Sequence, residues 1–156
     1  MRFGFYIKMI SIEQIKQLRG ETGVSVIDCK KALEKSGGDF NKAKEILREW
    51  GKEVAKKKAE REAGAGLIDS YIHPDKRVGA MLELRCETDF VAKSDDFKVL
   101  AHELCLQIAA MDPEKDSLMA QSWIKDESKT VEDLVKEYIA KLGENIKVER
   151  FARFEI

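Results

Sequence analysis

The chain has 156 residues, 44% of them hydrophobic and 37% charged, a composition that excludes a disordered chain and fits one globular domain or two small ones. Its 28 basic and 29 acidic residues leave a net charge of −1, so the overall basic excess typical of nucleic-acid binders is missing, although a local basic patch stays open. No apolar run approaches the roughly 18 residues of a membrane span, and the start, Met1 to Lys8, is too short for a signal peptide and lacks a small-residue cleavage site, so a cytoplasmic protein is expected.

Three cysteines, Cys29, Cys86 and Cys105, form no CxxC pair. An odd count without pairing favours reduced, buried thiols over a disulfide framework. His73 and His102 stand far from any ligand-like spacing, so neither a metal site nor a cofactor site is expected.

Residues 1–10 read as an extension in which Phe3, Phe5 and Tyr6 cover some surface. Residues 11–51 then read as three short helices. Ser11 with Gln14 is a capping-box pattern, and Ile12, Ile15 and Leu18 line one face after it until Gly20 and Gly23 break the helix. Ser25 with Asp28 resembles a second start, with Val26, Cys29, Ala32 and Leu33 on its apolar face. Ser36-Gly37-Gly38 ends it. Asp39 caps the third helix, which turns Phe40, Ala43, Ile46, Leu47 and Trp50 inward and stops at Gly51. So small a helical core is marginal alone, and modules of this size bind rather than catalyse.

Lys52 to Ala63 is strongly charged and suits a solvated connecting helix. A basic contact for RNA or an acidic partner, through Lys56 to Lys58, is the alternative. Gly64 and Gly66 mark a boundary. A hairpin follows, with Leu67, Ile68, Tyr71 and Ile72 in one arm and a turn at residues 73–77. In the second arm Val78, Ala80, Leu82 and Leu84 alternate inward. Gly79 lets a neighbouring element pack close.

At Cys86-Glu87-Thr88-Asp89-Phe90-Val91-Ala92-Lys93 the alternating run gives way to a long amphipathic segment. Thr88 to Val91 should be the turn where strand hands over to helix, and such corners reach partners. Phe90 there has two readings. It plugs the core at the end of the sheet, or it projects as an aromatic probe into another protein. Cys86 beside Glu87 has no evident histidine partner, which argues against a thiol enzyme.

From the cap Ser94 a helix runs to about Met111, with Phe97, Leu100, Ala101, Leu104, Cys105, Ile108 and Met111 as its stripe, and Asp112-Pro113 ends it. Residues 114–129 read as irregular. Thr130 with Asp133 opens another helix, which Gly143 stops. The tail alternates: Ile146, Val148, Ala152, Phe154 and Ile156 share one face, interrupted by Arg150, and Lys147, Glu149, Phe151, Arg153 and Glu155 share the other. The expected fold is α+β: an antiparallel sheet of about three strands with helices on one side, after a three-helix module. Its exposed strand edges favour a homodimer paired edge to edge.

Three stretches resemble one family, translation elongation factor Ts. They are Ile15-Lys16-Gln17-Leu18-Arg19 with Thr22-Gly23 and residues 28–33, then Thr88-Asp89-Phe90-Val91 with its flanks, and then residues 139–146 continuing to 150–155. Beside the extension over residues 1–10 and the charged linker helix over 52–64, the likeness implies a ubiquitin-associated-like module over 11–51 and a core dimerisation domain over 65–156. It implies a guanine nucleotide exchange factor for elongation factor Tu that does no covalent chemistry and binds no nucleic acid directly. Thr88, Asp89, Phe90 and Val91 would disturb the Mg²⁺ and phosphate site of that GTPase. Ile15, Leu18, Val26 and Ile27 match apolar residues that dock the module.

The chain departs from the family pattern in places. Only about ten residues bridge Met111 and the Trp123 region, and a single core half is present, as in short members that form homodimers. Ala152 stands where some short members carry a bridging cysteine, so the dimer is expected to be non-covalent. Val24-Ser25-Val26-Ile27 replaces a more usual Ala-Gly-Met-Met, and Glu149-Arg150 stands where an arginine pair is common. A ubiquitin-associated-like binding module fused to an unrelated α+β domain is the competing reading. An RNA binder would instead show affinity that falls steeply with salt.

Overall fold

A computed structural model describes residues 9–115 and 117–156; the expectation for Phe3, Phe5 and Tyr6 lies outside the described residues. The chain divides into two compact units between Glu53 and Val54.

The first unit is helical. Helix α1, Ile12–Thr22, starts with a full capping box: Gln14 N–H donates to Ser11 Oγ, and Ser11 N–H donates to Gln14 Oε1. Gly20 is tolerated inside α1, and the stop comes at Gly23, whose φ of 68° suits a residue without a Cβ. Helix α2, Val26–Lys35, is capped by Ser25, whose hydroxyl accepts from Asp28 N–H and donates to the Asp28 carboxylate. Asp39 Oδ1 accepts from Lys42 N–H at the start of helix α3, Phe40–Lys58. Leu18, Cys29, Ala32, Leu33, Ala43 and Leu47 form the core of this unit.

Helix α3 does not stop at Gly51, as the sequence led us to expect. A glycine costs a helix interior only about 1 kcal/mol, and the residues after it, Lys52 to Lys58, contain no proline or second glycine to complete a stop. The charged stretch therefore begins as the last turns of α3.

The second unit is the α+β part. Strands β1, Ala65–Ile72, β2, Val78–Cys86, and β5, Lys147–Glu155, form an antiparallel sheet in the order β1-β2-β5. Corner helix α4, Asp89–Ala92, and helix α5, Asp95–Met111, follow β2, and helix α6, Val131–Leu142, precedes β5. Ala80, Leu82 and Leu84 of β2 join Phe97, Leu100, Leu104 and Ile108 of α5 and Val131, Leu134 and Ile139 of α6 in one buried core. Thr130 and Asp133 close a capping box at the start of α6, where the sequence placed a helix start. Among the described residues no helix is long and apolar enough to cross a membrane.

Three details differ from the sequence reading. Gly66 lies inside β1 opposite Arg85, where a Cβ would stand 2.2 Å from the Leu84 carbonyl oxygen. It is a close-approach glycine and not a boundary marker. Residues 114–129 are not wholly irregular: a 3-10 turn at Leu118–Ala120 leads into a small hairpin, β3, Ser122–Trp123, with β4, Asp126–Thr130. Buried Gln107 of α5 holds it, with Nε2 donating to the Ser122 carbonyl at 3.0 Å and Oε1 accepting from Ile124 N–H at 2.9 Å.

The third difference is the parity of β5. Glu83 pairs with Arg150 but Leu84 pairs with Val148, so Glu149 is an extra, unpaired residue. Such a bulge shifts the alternation by one, and a one-residue shift sends every later side chain to the other face. Val148 and Phe151 therefore both pack on the core, while Ala152 and Phe154 face outward, contrary to the single face expected from residues 146–156. The outer face of the sheet consequently carries exposed Ile68, Ile72, Met81 and Phe154, with Ile156 exposed at the end of the chain.

Candidate functional site

Strand β2 ends at buried Cys86, and the chain turns through Glu87 and Thr88 into α4. Thr88 is extended (φ −127°, ψ 153°) and caps the turn: its Oγ1 accepts from Val91 N–H at 3.3 Å. Ser94 starts the next helix in the same way, accepting from Phe97 N–H at 3.3 Å while its hydroxyl donates to the Val91 carbonyl at 2.7 Å. One short turn thus lies between two caps.

That turn has two faces. Val91 and Ala92 point into the core, whereas Phe90 is 86% exposed and Asp89 is exposed beside it. Phe90 is therefore not a core plug. Leaving a phenylalanine in water forgoes about 1.5–3 kcal/mol of burial.

The corner is also tied from a distance. Glu144, just beyond the α6 cap Gly143, takes Glu87 N–H and Thr88 N–H on Oε2, each at 3.0 Å, and the Thr88 hydroxyl on Oε1 at 2.6 Å. In return Glu87 Oε1 accepts from Asn145 N–H at 2.8 Å. Glu144 lies within the stretch 139–146 that carries the family likeness, but nothing local in the sequence links it to a residue 56 positions away.

The nearby thiol is chemically quiet. Burial, with Glu144 and Asp89 adding negative charge, pushes Cys86 up to about 11, and its Sγ–H donates to the Thr88 carbonyl at 3.2 Å. A thiol held so far from its thiolate form is a poor nucleophile. His73 pairs with Asp75 at 2.9 Å in the hairpin turn, and His102 lies 3.9 Å from Asp69. Among the described residues no group of histidine, cysteine and carboxylate side chains is arranged to hold a metal ion.

The four docking candidates in the helical unit separate. Val26 and Ile27, in the first turn of α2, are 47% and 66% exposed. Ile15 is partly buried and packs against the core. Leu18 is fully buried, so it supports the module from within and is not on its surface. Exposed Ile12, just after the Ser11 cap, is an apolar surface residue, although the helical spacing placed it on one face with Ile15 and buried Leu18. Of the lysines at 56–58, Lys58 Nζ donates to the Gly143 carbonyl at 2.7 Å, a structural bond at the end of α6.

Comparison with known proteins points one way. A sequence profile of the family described as Elongation factor TS matches residues 87–156, which include the corner, α5, α6 and β5. The chain is similar to "Elongation factor Ts" of Thermodesulfovibrio yellowstonii, 41% identical over 192 positions that span 94% of this chain and 96% of that protein. Similar relatives come from Coprothermobacter proteolyticus, at 41% with 94% and 98% covered, and from Thermotoga petrophila, at 41% with 94% and 96% covered. Since 94% of 156 residues is about 147, about 45 of the 192 aligned positions fall opposite gaps in this chain. The match spans both units, so the helical module and the sheet belong to one family pattern.

Proposed function

The chain belongs to the elongation factor Ts family, and on that premise we propose that it is a guanine nucleotide exchange factor that promotes release of GDP from elongation factor Tu in the cytoplasm. The observation that carries this reading is Phe90, held out in water at the capped corner.

The helical module, residues 11–51, docks on the GTP-binding domain of elongation factor Tu through Val26 and Ile27, with Ile15 beside the core and Leu18 behind them. The charged segment 52–64 joins it to the core domain, residues 65–156. The core domain presents the corner. Phe90 wedges between partner side chains, and Asp89 brings a negative charge beside the bound Mg²⁺. Thr88 and Val91 act from behind, one as cap and one as root of the turn. Mg²⁺ is a large local charge on the nucleotide phosphates, so disturbing its surroundings loosens GDP strongly. The exchange is a coupling free energy: whatever factor by which this chain weakens GDP, GDP weakens this chain by the same factor. No bond is made or broken, and no cofactor or nucleic acid is required of this protein.

Two copies form a non-covalent dimer. The exposed apolar residues Ile68, Met81 and Phe154 move the favoured contact from the sheet edge to its open face, since apolar patches of this kind mark interaction surfaces. All three cysteines are buried and free, which agrees with a dimer without a disulfide.

The test is release of a fluorescent GDP analogue from elongation factor Tu. Substoichiometric amounts of this chain should accelerate it several-fold or more. An unchanged rate with a folded chain and a partner from the same source would refute the assignment.

A further inference from the structure

We propose that Glu144 is a positioning residue for exchange: its carboxylate fixes the direction of the Thr88 hydroxyl and thereby the turn that presents Phe90. The proposal rests on the exchange-factor reading above, but its structural part stands on hydrogen bonds alone.

An ionised carboxylate only accepts. The Thr88 hydroxyl, 2.6 Å from Glu144 Oε1, must therefore donate to it. With its proton committed, Thr88 Oγ1 offers a lone pair to Val91 N–H, the bond that starts α4. The other carboxylate oxygen takes two successive backbone amides, of Glu87 and Thr88, which sets the entry of the chain into the cap. Charge-assisted bonds of this type are the strong ones. One side chain thus sets both the path of the backbone and the polarity of the cap.

Glu144 is itself held. Gly143, with φ 76°, lifts the chain off the end of α6. Asn145, which is buried, donates from Nδ2 to the Arg61 carbonyl at 2.8 Å and from its backbone N–H to Glu87 Oε1. Residues 87–88 and 144–145 therefore hold one another reciprocally, with Glu87 and Glu144 each reaching across to the other's strand of chain.

The contact lies at the rim of the core domain. Thr88 is exposed and Glu144 partly so. In Glu144→Gln one oxygen remains for the backbone N–H groups without its charge, and an NH2 donor replaces the acceptor facing the Thr88 hydroxyl, so the domain folds and the corner loses its order. Misplacement of a reacting or wedging group by about 1 Å costs up to on the order of a hundredfold in rate.

The experiment compares wild type, Glu144→Gln, Thr88→Val, the double variant, and Thr88→Ser. Two quantities are read in the GDP-release assay with elongation factor Tu: the saturating rate and the half-saturating concentration of factor. Amide hydrogen exchange at Glu87, Thr88 and Val91 is read in the chain without partner. Glu144→Gln and Thr88→Val should each lower the saturating rate by about tenfold, with the half-saturating concentration within about twofold, because docking is untouched. The double variant should lose no more than either single one, since both break one network. Thr88→Ser should recover most of the rate lost in Thr88→Val. Exchange at the three amides should quicken in Glu144→Gln while core amides of α5 stay protected. Normal rates in Glu144→Gln, losses that add in the double variant, or unchanged exchange at these amides would each overturn the proposal. Should the wild type not accelerate GDP release, the exchange-factor reading fails, and the amide measurement alone decides whether Glu144 orders the corner.

Discussion

Phe90 and Val91 are neighbours in the chain and stand on opposite sides of one helical turn: Phe90 is 86% exposed and Val91 is 6% exposed. A turn capped by Thr88 and followed by the Ser94 cap has no freedom to exchange the two. Val91 anchors what Phe90 displays. Val91→Ala removes about two buried methylene equivalents and should cost roughly 1.6 kcal/mol at about 0.8 each, measured by urea denaturation.

Gly66 carries a stability prediction of another kind. A Cβ there would stand 2.2 Å from the Leu84 carbonyl oxygen, and φ is +156°. The obstacle is backbone in the central strand and cannot rotate away. Gly66→Ala should therefore destabilise the sheet by roughly 1–3 kcal/mol, in the range of overpacked cores. Gly64→Ala, where a Cβ meets nothing within 4 Å, serves as the control and should leave the denaturation midpoint nearly unchanged.

The buried thiols give a pH dependence. Burial pushes Cys105 up to about 12 and Cys86 up to about 11, from an ordinary 9.0. Between those values and 9.0 the unfolded chain loses thiol protons that the folded chain keeps. Their contribution to stability is thus fully present below pH 9 and is lost as the pH rises through 11 to 12. Denaturation midpoints for the wild type should fall between pH 9 and 11, and the fall should be shallower in Cys105→Ala. An equal slope in both would contradict the buried, protonated thiol.

The bulge at Glu149 turns Phe154 outward, where it is 78% exposed on the open face of the sheet. With Met81 it forms the proposed contact between copies. Sedimentation should show a dimer for the wild type and a monomer for Phe154→Glu, with helical content retained. A monomeric wild type, or a variant that still dimerises, would remove the sheet face as the contact.

Features set by neighbours in sequence were legible. The caps at Ser11, Ser25, Ser94 and Thr130 involve residues three positions apart, and each forms as its pattern indicates. The hairpin and its inward Ala80, Leu82 and Leu84 followed from period-two alternation alone. What stayed hidden depends on distant chain. The bulge at Glu149 exists only in register with β2, so a correct alternation was assigned to the wrong face beyond Arg150. Gly51 looked like a stop because a single glycine often is one, yet no second signal completed it. Of the candidate site, the corner and its four residues were recognisable as a motif, but neither the outward direction of Phe90 nor the hold of Glu144 on Thr88 was written in local spacing. Leu18, which the family likeness placed among the docking residues, is buried in the core, as its place on the apolar face of α1 allows.

GDP release from elongation factor Tu with Phe90→Ala beside the wild type tests the role of the exposed aromatic most directly. An exposed residue away from caps and core changes stability by no more than about 0.5 kcal/mol, so the variant should melt with the wild type. It should nevertheless lose most of the acceleration. A variant that melts like the wild type and releases GDP as fast would contradict the role given to Phe90.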